Sequence, residues 1–350
     1  MTSLKNARDN NFDLLRFFFA FIVVLGHLIV ISKAEVFQKF SPYINTNTSV
    51  TAFFSISGFL IASSYLKTNS LKQYFDKRAA RLLPAYGLVI IACSLLLPIT
   101  GKLSLSEYLW NSQLYKYLIY NLSFLNFLQP TLPGVFVRGG IENPVNGALW
   151  TLKVEVAFYL TIPILITFIN RFKWKYIPIL IIYVSSLSYQ LAFDWYFQKT
   201  GNPMYQLLSR QLPGYLTYFV SGIALYYYFD DFVKNKNKLF IVGITIYILE
   251  RIYGIHILTP IALSLLIFVF AYSLKQLNSF AKHGDVSYGI YIYHCPLINL
   301  AVQYNLFERY NPYLVALILI VILLTLSFAS WHLLEKIVLQ KVHRKTLARY

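Results

Sequence analysis

The sequence predicts an all-α, polytopic membrane protein, and three observations carry that prediction. Hydrophobic residues make up 57% of the 350 residues and charged residues only 13%, with a mean hydropathy of +0.54. A soluble body carries about 25% charged residues to cover its surface. Apolar runs of spanning length recur along the whole chain. The Lys and Arg residues that produce the net charge of +17 are scattered through the short connecting segments. That distribution excludes a nucleic-acid-binding surface, which needs a single basic patch.

The runs fall at about 14–32, 49–66, 82–99, 146–169, 176–194, 212–229, 239–254, 255–274, 286–304 and 313–334, ten in all. With the N-terminus on the cytoplasmic side, twenty of the 31 Lys and Arg residues face the cytoplasm and nine lie at or near the outer side, while Arg16 and Lys153 sit within spans. This asymmetry satisfies the positive-inside rule and puts both termini in the cytoplasm. No small-residue cleavage site follows the first run, so it is read as a retained span rather than a secretory signal. Cys93 and Cys295 both lie in apolar runs and imply neither a disulfide framework nor a zinc site. Without repeats or low-complexity stretches, residues 1–350 read as one membrane domain. Its oligomeric state leaves no mark in the sequence.

One connection departs from the tight turns elsewhere. Residues 100–145 form a long outer segment whose stretch from Leu103 to Leu128 is rich in Tyr, Trp, Phe and Leu. That composition suits an interfacial or re-entrant element lying against the lipid bilayer. Pro130, Pro133, Gly134, Gly139, Gly140 and Pro144 then interrupt regular structure before the fourth run.

Ionisable groups within the runs mark the candidate chemistry, because each costs about 2.5–3.5 kcal/mol near a bilayer centre. Arg16 and His27 share the first run. Eleven helical steps of about 100° return both side chains to one face, with about 16 Å of rise between them. Lys153 and Glu155 open the fourth run. Counting rise from each helix start puts Glu155 and His27 at similar depth, so that the carboxylate is placed to orient the imidazole or raise its basicity. A structural Lys–Glu or Arg–Glu pair is the alternative for Glu155. Arg78 and Arg81, in DKRAARLLPAY, are three residues apart and share a face at the cytoplasmic surface, suited to the phosphates of a cytoplasmic donor or to simple anchoring. His294, in GDVSYGIYIYHCPL, is a second candidate base, although a lone histidine in an apolar run is more often a packing residue. Cys295 beside it has no adjoining cation to activate a thiolate. His332 and Glu335 end the last run, where a capping or surface role fits, and His256, His283 and His343 read as peripheral. No spacing matches a helical metal pair, a P-loop or a nucleophile elbow.

Taken together, NFDLLRFFFAFIVVLGHL with Asp13, Arg16 and His27, FFSISGFLI at 53–61, Arg78 and Arg81 ahead of Pro84, LWTLKVEVAFYL at 149–160, and VSYGIYIYHCPL with the late Glu335 resemble the membrane-bound acyltransferase family 3. The resemblance covers nearly the whole chain. It implies a membrane O-acyltransferase that moves an acyl group, typically acetyl from acetyl-CoA, to sugar hydroxyls of surface glycans in the cytoplasmic membrane of a bacterium. It implies His27, Arg16 and Glu155 as the catalytic set and Arg78, Arg81 and Arg16 as donor contacts. His294, Lys153, Trp150 and Tyr159 are further candidates, and no metal is implied. Two positions depart from the family pattern. Thr151 replaces a commoner serine and keeps the hydroxyl, and Ile337 stands where proline is frequent. The alternatives are a succinyl or longer acyl donor within the same chemistry and, in a different class, a polysaccharide exporter or flippase whose intramembrane charges line a path.

Overall fold

The computed structural model describes residues 10–274, 280 and 284–347. The cytoplasmic tally above draws on Lys5, Arg8, Lys275, Lys282 and Arg349, which lie outside the described residues, as does His283. Within them the chain is almost entirely helical, apart from one two-stranded hairpin.

Six helices among the described residues are long and apolar enough to cross a membrane: Phe12–Ser32, Thr46–Leu66, Leu71–Thr100, Gly147–Asn170, Tyr176–Thr200 and Pro312–Arg344. The other four expected runs are helical as well, but each falls short of a plain span. Leu212–Tyr227, Thr259–Ser273 and Ser287–Gln303 have 16, 15 and 17 residues, fewer than the roughly 20 that cross about 30 Å of hydrocarbon. Phe229–Tyr253 has 25 residues, yet its opening turns carry Asp230, Asp231, Lys234, Lys236 and Lys238. Length and composition therefore give six where the apolar runs gave ten.

The helices group into two compact units, each assembled from separated stretches of chain. The first takes in described residues 10–16, 47–74 and 154–274. Its core is aromatic. Phe12, Phe59 and Phe268 meet with ring centroids 5.0–5.7 Å apart, and Phe158 stacks on Phe219 at 4.1 Å. Apolar side chains gain little from leaving lipid for one another, so close helix contact depends on small residues and interhelical hydrogen bonds. Both are present: Gly58 lies against the backbone of Phe219, Gly222 against that of Ser55, and the hydroxyl of Ser55 hydrogen bonds that of Ser264 at 2.7 Å. The SGF segment at 57–59 thus serves as a helix-packing element.

The second unit takes in described residues 17–46, 75–153 and 284–347. Leu28, Ile29, Phe37, Ile298, Ala301 and Phe307 form part of its core. The long segment folds here as two short helices, Leu105–Leu109 and Ser112–Leu122, followed by the hairpin Val137–Arg138 and Ile141–Glu142. Ser104 and Glu107 cap the first helix reciprocally, and the bonds that Ser104 donates hold the Glu107 carboxyl below the usual carboxylate range. Tyr108, Leu114 and Tyr117 are buried, while Leu105, Trp110, Ile119 and Phe127 are exposed. A two-glycine turn with positive φ at Gly139 and Gly140 closes the hairpin.

Within Ser287–Gln303, Pro296 has no N–H to give the carbonyl of Ile292 one turn earlier. Asn146 replaces it, its side-chain amide donating to that carbonyl at 2.7 Å. The same residue caps the 3-10 turn Gly147–Leu149, which leads into the Trp150–Asn170 helix, by accepting from the Ala148 amide at 3.2 Å. Asn146→Ala is expected to lower stability by about 1–3 kcal/mol, the cost of an orphaned buried carbonyl. On that background Pro296→Ala restores a backbone donor and recovers part of the loss. Thermal unfolding of the four proteins in detergent tests the coupling, and strictly additive effects would exclude it.

Candidate active site

The helix Phe12–Ser32 carries both Arg16 and His27 without a break. Arg16 forms an ion pair with Asp13, one turn earlier. His27 meets a partner 267 positions away in sequence: its Nδ1 lies 2.8 Å from Nε2 of His294, with ring centroids 4.9 Å apart. This contact lies wholly within the second unit.

Hydrogen bonding assigns the tautomers of the pair. Nδ1 of His294 is 3.1 Å from the carbonyl of Ile290, and a carbonyl only accepts, so this nitrogen bears the hydrogen. In a neutral ring Nε2 of His294 is then the acceptor, and His27 donates to it from Nδ1. In that tautomer Nε2 of His27 carries the lone pair that a general base requires, with the Val23 carbonyl one turn earlier as a further acceptor for the ring N–H. An apolar crevice lined by Val24, Leu28, Leu297, Ile298, Leu319 and Leu323 adjoins His294. Such surroundings give the pair a low local dielectric and strengthen its hydrogen bond. Cys295 also reaches the pair, with Sγ 3.3 Å from Nε2 of His294.

Other expected residues find distinct partners. Glu155 lies in the first unit and accepts from the hydroxyl of Tyr159 at 2.5 Å, one turn further along the same helix. The hydrogen-bonding partner of His27 is thus His294, a residue first read as a secondary candidate. Lys153 does not pair with Glu155; its ammonium sits 4.5 Å from the ring centroid of Phe127, a cation–π contact that offsets removal from water. Trp150 begins the same helix and is half-buried. Thr151 hydrogen bonds the hydroxyl of Tyr291 at 2.7 Å, so the hydroxyl retained there joins this helix to the one bearing His294.

Arg78 and Arg81 lie one turn apart on Leu71–Leu96, both half-buried. Arg81 pairs with Asp285 and stands 3.8 Å from Glu335, between the rings of Tyr288 and Trp331 at 5.9 and 5.5 Å. Glu335 is not a surface residue. Only 1% of it is exposed, and it accepts from Ser330 at 3.1 Å. The cause is a π-helical turn over Trp331–Glu335, which shifts the side-chain register relative to an α-helix. Asp285 stands nine residues before His294, about 13 Å of helical rise.

A family model described as an acyltransferase domain matches residues 9–332, and the chain belongs to that acyltransferase family, the membrane-bound family 3. It is an acyltransferase enzyme. Among its relatives, "Nodulation protein 10" of Rhizobium leguminosarum bv. viciae is 27% identical over 95% of this chain and 94% of its own length. An "O-acetyl transferase" of Shigella phage Sf6 is 24% identical over 94% of this chain and 96% of its own length. An uncharacterized protein of Haemophilus influenzae is 26% identical over 53% of this chain and 78% of its own. No solved structure matches the chain.

Proposed function

We propose that this enzyme transfers an acetyl group from acetyl-CoA to a sugar hydroxyl of a cell-surface polysaccharide or lipid-linked glycan, in the cytoplasmic membrane of a bacterium. The observation that carries the reading is the His27–His294 hydrogen bond, which leaves one basic imidazole nitrogen in the membrane-embedded core of an acyltransferase. The relative from phage Sf6, named an O-acetyl transferase, supports the choice of acyl group.

Nε2 of His27 takes the proton of the acceptor hydroxyl as its oxygen attacks the thioester carbonyl. The C–S bond then breaks, and the imidazolium returns the proton to the departing thiolate, giving the sugar ester and free CoA thiol. His294 acts on His27 as a positioning residue. It fixes the tautomer and accepts from Nδ1–H, a bond that strengthens as the ring becomes cationic. Arg16, on the same helix, holds the donor or stabilises charge on the carbonyl oxygen, and Glu155 is kept as a candidate within the first unit, where Tyr159 donates to it. The donor phosphates are assigned to the Arg78 turn. Arg81 is already balanced by Asp285 and Glu335 and ties that turn to the helix bearing His294. In this reading the chain forms one acyltransferase domain with ten crossings and both termini in the cytoplasm. The exposed aromatic face of the 100–145 segment rests in the membrane interface.

The test uses purified full-length protein in liposomes with acetyl-CoA and a bacterial surface polysaccharide. Acceptor-dependent release of free thiol is expected, together with a gain of one acetyl mass on the glycan. Glycan crossing the bilayer without mass gain or thiol release would reject the proposal in favour of an exporter. Faster turnover with succinyl-CoA would correct the donor alone.

A further inference from the structure

Three donor atoms of different chemistry converge at the histidine pair. His27 Nδ1 and His294 Nε2 are 2.8 Å apart, Cys295 Sγ is 3.3 Å from the same Nε2, and the ligand atoms of all three residues lie within 4.8 Å of one another. Metal–nitrogen bonds of about 2.0–2.1 Å and metal–sulfur bonds of about 2.3 Å give ligand–ligand edges of roughly 3.3–3.6 Å. To enclose an ion the two nitrogens therefore move apart by about half an ångström, and the remaining edge, up to 4.8 Å, closes by as much as about 1 Å. His294 is held as ligating histidines are held, with Nδ1–H on a backbone carbonyl and the Nε2 lone pair turned toward the cluster.

We propose that His27, His294 and Cys295 form a binding site for a soft monovalent cation, Cu+, and that its occupation switches off the general base. Thiolate and imidazole ligands select copper(I) and zinc over hard cations. Charge separates these two. Cys295 is 0% exposed and His294 1%. Cu+ with one thiolate and two neutral imidazoles is uncharged, whereas Zn2+ leaves a net positive charge in a dry site, which is costly.

The protons balance as follows. The Cys295 thiol loses its hydrogen to solvent when sulfur binds the ion. His294 keeps its hydrogen on Nδ1 and binds through Nε2. His27 moves its hydrogen from Nδ1 to Nε2 and binds through Nδ1. One proton leaves for each Cu+ bound, and no oxidation state changes. The nitrogen that accepts the substrate proton in the free enzyme now carries a hydrogen, so copper-loaded enzyme has no base. This regulatory step rests on the acetyl-transfer reading, whereas the binding site does not.

The experiment titrates detergent-purified full-length protein with Cu+ held by bicinchoninate under anaerobic, reducing conditions. One Cu+ per chain is expected to leave the chelator for the wild type and for Cys93→Ser, which removes the other cysteine, and none for Cys295→Ser. X-ray absorption of the copper-loaded wild type is expected to show both nitrogen and sulfur neighbours. Acetylated glycan, counted by mass spectrometry, falls at least tenfold on copper loading of the wild type, whereas Cys295→Ser shows no copper-dependent fall relative to its own copper-free rate. Equal uptake by wild type and Cys295→Ser, or no uptake by folded wild type, would overturn the site. Copper uptake that follows this pattern in a protein without acetyl transfer would leave the site standing and reject the catalytic proposal instead.

Discussion

His27→Ala is expected to reduce acyl transfer by about 10²–10⁴-fold, the usual contribution of a positioned general base, while the protein still accumulates in the membrane. The comparison that gives this result meaning is with His294. His294→Leu removes the acceptor of the Nδ1–H bond, so His27 is free to turn and to exchange tautomers. The expected loss is smaller than that of His27→Ala and falls on kcat, with KM for the donor unchanged. Glutamine carries a terminal oxygen close to where His294 places Nε2, so His294→Gln is expected to recover much of the rate. A base at position 294 predicts the reverse order, with His294→Gln inactive and His27→Ala partly active. Rates and KM values of these variants, measured through thiol release, decide between the two assignments.

Gly58→Ala is expected to be strongly destabilising for the first unit. A Cβ there would clash with the carbonyl oxygen and carbonyl carbon of Phe219, which belong to a neighbouring backbone and cannot rotate away. The two helices would have to separate, losing the packing of Phe54 on Tyr215 and of Phe59 on Tyr226. Overpacking of this kind costs about 1–3 kcal/mol or more. Gly222→Ala meets the carbonyl of Ser55 and should behave alike. Gly87 provides the contrast, because nothing lies within 4 Å of a Cβ built on it. Gly87→Ala is expected to be neutral or stabilising by up to about 1 kcal/mol, the difference in helix propensity. Thermal unfolding of the three variants in detergent checks the ranking, and equal melting of Gly58→Ala and Gly87→Ala would refute it.

Much of the architecture is legible in the sequence because the bilayer imposes a simple rule: a backbone in hydrocarbon must bond to itself, so apolar runs become helices. All ten runs are helical. Crossing is a stricter condition than helicity. The short helix Thr259–Ser273 and the charged start of Phe229–Tyr253 are why length and composition give six candidate spans among the described residues where the apolar runs gave ten. The family was also legible, since its motifs lie in order along the chain and the family model covers 9–332.

The site was legible one residue at a time. Helical spacing on one chain segment put Arg16 and His27 on a common face, and the cost of burying ionisable groups marked His294, Glu155 and Lys153. Counting rise along separate helices gives depth but not lateral neighbours, so it drew attention to Glu155 and passed over His294 as the partner of His27. Glu335 was misread for a related reason: the π-helical turn that buries it against Ser330 and Arg81 follows from local packing and leaves no spacing signal.

The sequence by itself determined that this is a helical membrane acyltransferase and which side chains are too costly to be incidental, because hydropathy, charge placement and motif order are properties of a one-dimensional chain. The tertiary structure decided which of those side chains meet. Packing of helices whose contacting residues are 267 positions apart sets the His27–His294 bond, a lateral contact that spacing along one stretch of chain does not encode.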